Sequence, residues 1–102
     1  MVVVVGELEI APREGTVRKR GEPVDLTPIE FRLLLELVRS AGHVVSRQTL
    51  AERVWQYPYL GTSRLVDMAV TRLRQKIEDR PERPRLIVTV RGRGYRFEPA
   101  GP

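Results

Sequence analysis

The run Arg64-Leu65-Val66-Asp67-Met68-Ala69-Val70-Thr71-Arg72-Leu73-Arg74-Gln75-Lys76-Ile77-Glu78 constrains this chain more than any other stretch. Wound as an α-helix at about 100° per residue, it gathers Leu65, Val66, Ala69, Val70, Leu73 and Ile77 on one apolar arc. Such an arc needs a core to lie against. On the far side Arg64, Met68, Thr71 and Gln75 form a stripe flanked by Arg72 and Arg74, and only Asp67 and Glu78 are acidic. Guanidiniums suit phosphate or guanine, Thr and Gln suit base edges, and a Met thioether suits a thymine methyl. An Arg-rich solvated surface is the competing reading, and helix propensity does not separate the two. The surrounding sequence does.

The excess charge sits on and after this helix. The 102-residue chain, long enough for one domain with a modest core, carries a net charge of +5. Residues 1–61 hold eight basic and eight acidic side chains, whereas residues 62–102 hold ten basic and five acidic ones. A basic patch confined to one part of a domain points to a polyanion partner. The absence of cysteine excludes a disulfide framework, a thiolate metal site and a thiol nucleophile. Val2 to Val5 form a run too short for a signal-peptide core or a membrane span, so a cytoplasmic protein is expected. Pro99 to Pro102 reads as a tail.

Residues 2–26 read as a meander of short antiparallel strands, broken at Gly6, Pro12 to Gly15 and Arg20-Gly21-Glu22. Thr27-Pro28-Ile29-Glu30 then combines an N-cap, a proline at the first helical position and a capping-box glutamate. The spacing of Phe31, Leu34, Leu35 and Val38, widened by Leu33 and Leu37, predicts a scaffold helix over residues 28–41, stopped by Gly42. His43-Val44-Val45 is a short extended piece. Ser46 caps a second helix over residues 47–55, with Leu50, Ala51, Val54 and Trp55 at helical spacing. The lone His43 has no carboxylate or cysteine cluster beside it, so a surface or turn role is expected rather than metal or catalytic service.

Gln56 to Gly61 is a loop whose Tyr57 and Tyr59 either pack back onto the domain or face a partner. Thr62 or Ser63 caps the basic helix, expected over residues 63–78. The strand-like Leu86 to Val90 and Tyr95 to Phe97 enclose Arg91-Gly92-Arg93-Gly94, predicting a hairpin over residues 86–98. A small basic tip of this kind fits a narrow, negatively charged minor groove. No Gly-Lys-Ser/Thr follows and no helix begins after it, so a nucleotide-phosphate loop is excluded.

Three helices with the third basic, followed by a basic-tipped hairpin, describe an α+β winged helix-turn-helix over residues 1–98. The second helix would cross the nucleic-acid backbone, the third enter the major groove, and the wing touch the flanking groove. Four stretches carry a resemblance. They are Leu26-Thr27-Pro28-Ile29-Glu30-Phe31 with Leu34-Leu35, and Val45-Ser46-Arg47 with Leu50 and Val54-Trp55. The others are Arg64-Leu65-Val66-Asp67 with Arg72 to Glu78, and Thr89 to Phe97. In that order they resemble the OmpR/PhoB-type DNA-binding domain of two-component response regulators, over nearly the whole chain.

The resemblance implies an N-terminal four-stranded sheet, three helices and a C-terminal hairpin. It also implies sequence-specific binding to double-stranded DNA, as a head-to-tail dimer on direct repeats, under a phosphorylated receiver domain that a sensor kinase controls. No receiver pattern occurs in this sequence, so the expectation is the effector half of a longer protein, with a free-standing regulator as the alternative. Carried over by position, the helix contacts are Met68, Thr71, Arg72 and Arg74, and the wing contacts are Thr89 and Arg91; Arg64 of the outer stripe and Arg93, at a position variable in the family, are further candidates. Asp67 falls at the family's acidic position, where it can order neighbouring arginines or favour the helix dipole. Ala69 stands where relatives are often polar, and Thr71 where some carry Arg, so the target sequence is expected to differ. The loop bearing Tyr57 and Tyr59 corresponds to the family's RNA polymerase contact.

Two rivals use the same residues. One is a winged-helix module binding an acidic protein, with arginines as rim and Tyr57 and Tyr59 as anchors. The other is a binder of structured RNA, although the helix face lacks the stacking aromatics of single-strand readers. No paired catalytic acids, activated nucleophile or metal cluster can be assembled, so neither an enzyme nor a cofactor is expected.

Overall fold

The computed structural model describes residues 1–56 and 64–99. Alternating apolar and polar residues build its first layer. β1 (Val3–Val5), β2 (Leu8–Ala11), β3 (Thr16–Lys19) and β4 (Glu22–Val24) pair antiparallel in sequence order. The register sets Val3, Ile10, Val17 and Val24 in one cross-strand row and Val4, Glu9, Arg18 and Pro23 in the next. Successive residues face opposite sides of a sheet, so the first row packs inward and the second is exposed. Pro23 cannot donate to a ladder and sits on an edge strand, where that costs least.

The capped start at Thr27 forms as expected. In α1 (Pro28–Arg39) the Thr27 hydroxyl accepts from the Glu30 N–H at 3.2 Å, and the Glu30 carboxylate accepts from the Thr27 N–H at 2.9 Å. Leu33, Leu34, Leu37 and Val38 are its buried centre, with Phe31 and Leu35 only partly covered. The helix ends at Arg39, short of the expected residue 41. Ser40 and Ala41 donate to Leu37 and Val38, three residues back, and so tighten the last turn. The Gly42 N–H then reaches the Phe97 carbonyl at 2.9 Å, which delivers β5 (Val44–Val45) to the wing.

Ser46 caps α2 (Arg47–Leu50) through a 3.1 Å bond from the Thr49 N–H. The single helix expected over residues 47–55 instead widens into a π-helical turn at Ala51–Trp55, which leaves Val54 fully buried. α3 (Arg64–Ile77) follows, then β6 (Ile87–Val90) and β7 (Gly94–Phe97). The wing is a three-stranded sheet in the order β5-β7-β6, not a bare hairpin. α1 packs on α3, on the π-helical turn and on β7, and the buried side chains of both sheets and all helices form one continuous cluster.

Gly94 makes the third strand possible. Its φ is +140°, and a Cβ at that position would lie 2.1 Å from the Val45 carbonyl oxygen. Only a residue without a side chain lets β5 come so near.

Candidate nucleic-acid interface

The interface is built outward from α3. Val66, Ala69, Val70, Leu73 and Ile77 are buried as the apolar arc requires. Leu65 departs from expectation. It lies at the edge of that arc and is 50% exposed. Arg64, Met68, Thr71 and Arg72 are all exposed, so they share the outward face of the helix. The Thr71 hydroxyl donates back to the Asp67 carbonyl at 3.0 Å, which fixes its rotamer and leaves its methyl and oxygen on the surface.

Asp67 joins three elements. Its Oδ1 accepts from Arg47 Nε of α2 at 2.8 Å and from the Tyr95 hydroxyl of β7. Asp67 is expected to order neighbouring arginines or favour the helix dipole; the arginine it holds here is Arg47, from another helix. Two guanidiniums approach the Tyr95 ring, Arg47 at 5.0 Å and Arg74 at 5.4 Å from its centroid. A cation over a ring contributes about 0.5–2 kcal/mol, more as water is excluded. The Asp67 hydrogen bond raises the pKa of Arg47 further, while burial and the same carboxylate push the Tyr95 phenol up.

Arg74 points into this junction. Its Nε and Nη2 donate to the Ile87 carbonyl at 3.1 and 2.8 Å, and Nη2 also reaches the Thr89 hydroxyl at 2.9 Å. Burial lowers its pKa, with Tyr95, Glu78 and Asp67 acting in opposition. The guanidinium stays charged regardless. Thr89 is itself exposed on β6, so the flank of α3 and the outer edge of the wing meet here.

A second tie lies at the end of α3. The buried Glu78 carboxylate accepts from the backbone N–H groups of Arg85, Leu86 and Ile87 at 2.8–3.0 Å. It thereby sets where β6 starts. Lys19 caps the same helix end, donating to the Ile77 carbonyl at 2.6 Å and to Asp79 at 2.7 Å. Glu30, the capping-box glutamate, is also buried and pairs with Lys76 at 2.6 Å, which links α1 to α3.

The wing tip carries Arg91 and Arg93, both exposed, and the Arg93 N–H closes the turn onto the Val90 carbonyl at 2.9 Å. The structure thus brings the expected helix residues and wing residues into one assembly, with Arg74 and Thr89 at the seam. Tyr57 and Tyr59 lie outside the described residues. Sequence reasoning missed Arg47 and Tyr95 as a joint between the elements. Its only written signal was an acidic residue, Asp67, on an otherwise basic helix. Among the described residues no group of three or more His, Cys, Asp or Glu could hold a metal ion, and no helix is long and apolar enough to cross a membrane.

An N-terminal meander, three helices and a hairpin clamped beside the third define a winged helix-turn-helix domain. The chain belongs to the family described as "Transcriptional regulatory protein, C terminal", which matches residues 21–97. It is 56% identical over 94 residues to the transcriptional regulatory protein AfsQ1 of Streptomyces coelicolor, covering 92% of this chain and 42% of that protein. With the DNA-binding response regulator MtrA of Mycolicibacterium smegmatis the identity is 44% over 98 residues, 96% of this chain and 42% of that one. The chain therefore spans 42% of the length of both these relatives. Among solved structures, the Klebsiella pneumoniae RstA DNA-binding domain in complex with the RstA box superposes with a TM-score of 0.90. Its sequence identity is 38%, over 96% of this chain and 97% of that one.

Proposed function

We propose that this domain binds double-stranded DNA sequence-specifically to regulate transcription, as the effector domain of a two-component response regulator. One observation carries the reading. The exposed face of α3, with Arg64, Met68, Thr71 and Arg72, is clamped through Asp67–Tyr95 and Arg74–Thr89 to a wing bearing Arg91 and Arg93. A reader of the major groove needs such a face, and a minor-groove contact needs a second basic element held at fixed distance from it.

In this reading Arg72 supplies a phosphate or guanine contact, Thr71 a polar contact and Met68 a methyl contact. Arg91 and Arg93 enter the flanking minor groove, and Thr89 meets phosphate. Arg74, engaged with Ile87 and Thr89, holds the wing to the helix and presents positive charge at the seam. The domain has no catalytic role and needs no cofactor. Its family supports a receiver domain and a sensor kinase in the whole cytoplasmic protein, head-to-tail pairing on direct repeats, and a polymerase contact at Tyr57 and Tyr59.

Selection from a random duplex pool, followed by gel shifts on the enriched sequence, tests the reading. Enrichment of one motif with at least about 1000-fold preference over random duplex is expected. A chain that selects nothing and instead binds acidic peptides would be the protein-interaction module.

A further inference from the structure

Leu65 is 50% exposed and Met68 is 47% exposed. They are three residues apart on α3, so they neighbour each other on its outward face. The other exposed large hydrophobics among the described residues, Met1, Val2 and Val4, lie in β1 or just before it. Leu65 and Met68 therefore make an isolated apolar step on a face otherwise furnished with Arg64, Thr71 and Arg72. Base edges in the major groove offer one apolar group, the thymine C5 methyl.

We propose that Leu65 and Met68 act together as a two-methyl reader, requiring thymines at two neighbouring base pairs of the operator. The inference rests on the DNA-binding reading above and adds to it a residue, Leu65, and a sequence requirement. Three residues of α-helix rise about 4.5 Å. Successive base pairs are roughly 3.4 Å apart, so with α3 laid along the groove the two side chains reach neighbouring steps. Ala69, beside them in sequence, is buried and has nothing to present. Arg72, one turn beyond Met68 and exposed, borders the apolar step with a charge that sets register against phosphate or guanine.

The test uses the 102-residue chain and the duplex it selects from a random pool. Two neighbouring positions fixed as A·T pairs are expected. Replacing either thymine by deoxyuridine removes one methyl and no hydrogen-bonding group. Each replacement should weaken binding about fourfold, the factor for one buried methyl-sized group. Leu65→Ala should abolish sensitivity to deoxyuridine at one of the positions and keep it at the other, and Met68→Ala should do the reverse. A selected sequence bound equally well with deoxyuridine at both positions would overturn the methyl reader and leave DNA binding standing. So would a Leu65→Ala chain that keeps both sensitivities. A pool that yields no sequence at all would remove the DNA-binding reading and this inference with it.

Discussion

The Tyr95 hydroxyl on the wing donates to the Asp67 carboxylate on α3, and the same carboxylate oxygen accepts from Arg47 on α2. One atom thus joins the three elements that a winged helix must hold in fixed relation. The Arg47 and Arg74 guanidiniums lie 5.0 and 5.4 Å from the centroid of the electron-rich Tyr95 ring, which adds cation–π attraction to the hydrogen bonds of the joint. In mechanical terms, the helix and the wing are held as one body.

Tyr95→Phe keeps both stacked guanidiniums and deletes one hydrogen bond, so it should cost about 1 kcal/mol in urea unfolding. Asp67→Ala also strands the Arg47 guanidinium and should cost more, about 1–3 kcal/mol. Equal stabilities for wild type and both variants would mean that the joint contributes nothing to the fold.

Gly94→Ala should be among the most damaging single changes in the chain. Its Cβ would meet the Val45 carbonyl and β5 would have to leave the sheet, with an expected loss above about 4 kcal/mol. Gly92→Ala is the control. Nothing lies within 4 Å of its Cβ position, so only its positive φ is penalised, at about 1–2 kcal/mol. Thermal melts of the two variants compare them directly, and similar Tm values would contradict the close approach.

These contrasts show what was readable in the chain and what was not. Thr27-Pro28-Ile29-Glu30 announced α1 because capping is local chemistry, completed within four residues. The apolar arc of α3 was readable because helical period and burial coincide over five of its residues. Leu65 was not, since it lies at the edge of the arc and only the tertiary neighbours decide which edge is covered. Glu78 and Arg74 look like surface charges in sequence, yet they bond backbone groups at the start of β6 and just before it, which no side-chain pattern encodes. For the same reason the pairing of the two-residue β5 with β7 was invisible. Nothing in residues 51–55 explains why the second helix widens into a π turn.

Acid should loosen the attachment of β3 to the end of α3. Lys19, then Arg20, hold the Asp79 carboxyl down at about 2 from its ordinary 3.8. A carboxylate with a depressed folded pKa stabilises the fold above its unfolded value, and loses that effect as pH falls through the folded value. Stability should therefore decline between about pH 4 and about pH 2. Glu30 acts in the same direction: burial pushes its carboxyl up, but Lys76 and the Thr27 groups together outweigh that and leave it lowered. Asp79→Asn should flatten the urea midpoint against pH in this window. The effect is small because the Asp79 side chain is half exposed and its pairs are screened by salt. A variant with wild-type acid sensitivity would assign the decline to other carboxylates.

On DNA, Arg72→Ala should cost about 1–3 kcal/mol on the selected site and relax discrimination at one base pair. Arg91→Ala should weaken binding to selected and random duplexes alike. With about six phosphates neutralised, log K should fall against log[salt] with a slope near −5. Identical, sequence-blind losses from both variants would show that α3 does not read bases.

Dimethyl sulfate probing of the selected duplex addresses the central claim in one measurement. The reagent marks guanine N7 in the major groove and adenine N3 in the minor groove. With α3 in one groove and the Arg91–Arg93 tip in the next, N7 protection should appear at the centre of each half-site and N3 protection beside it. Protection at both kinds of atom, offset by a few base pairs, is the predicted result. Protection confined to one groove, or spread evenly along the duplex, would contradict the account.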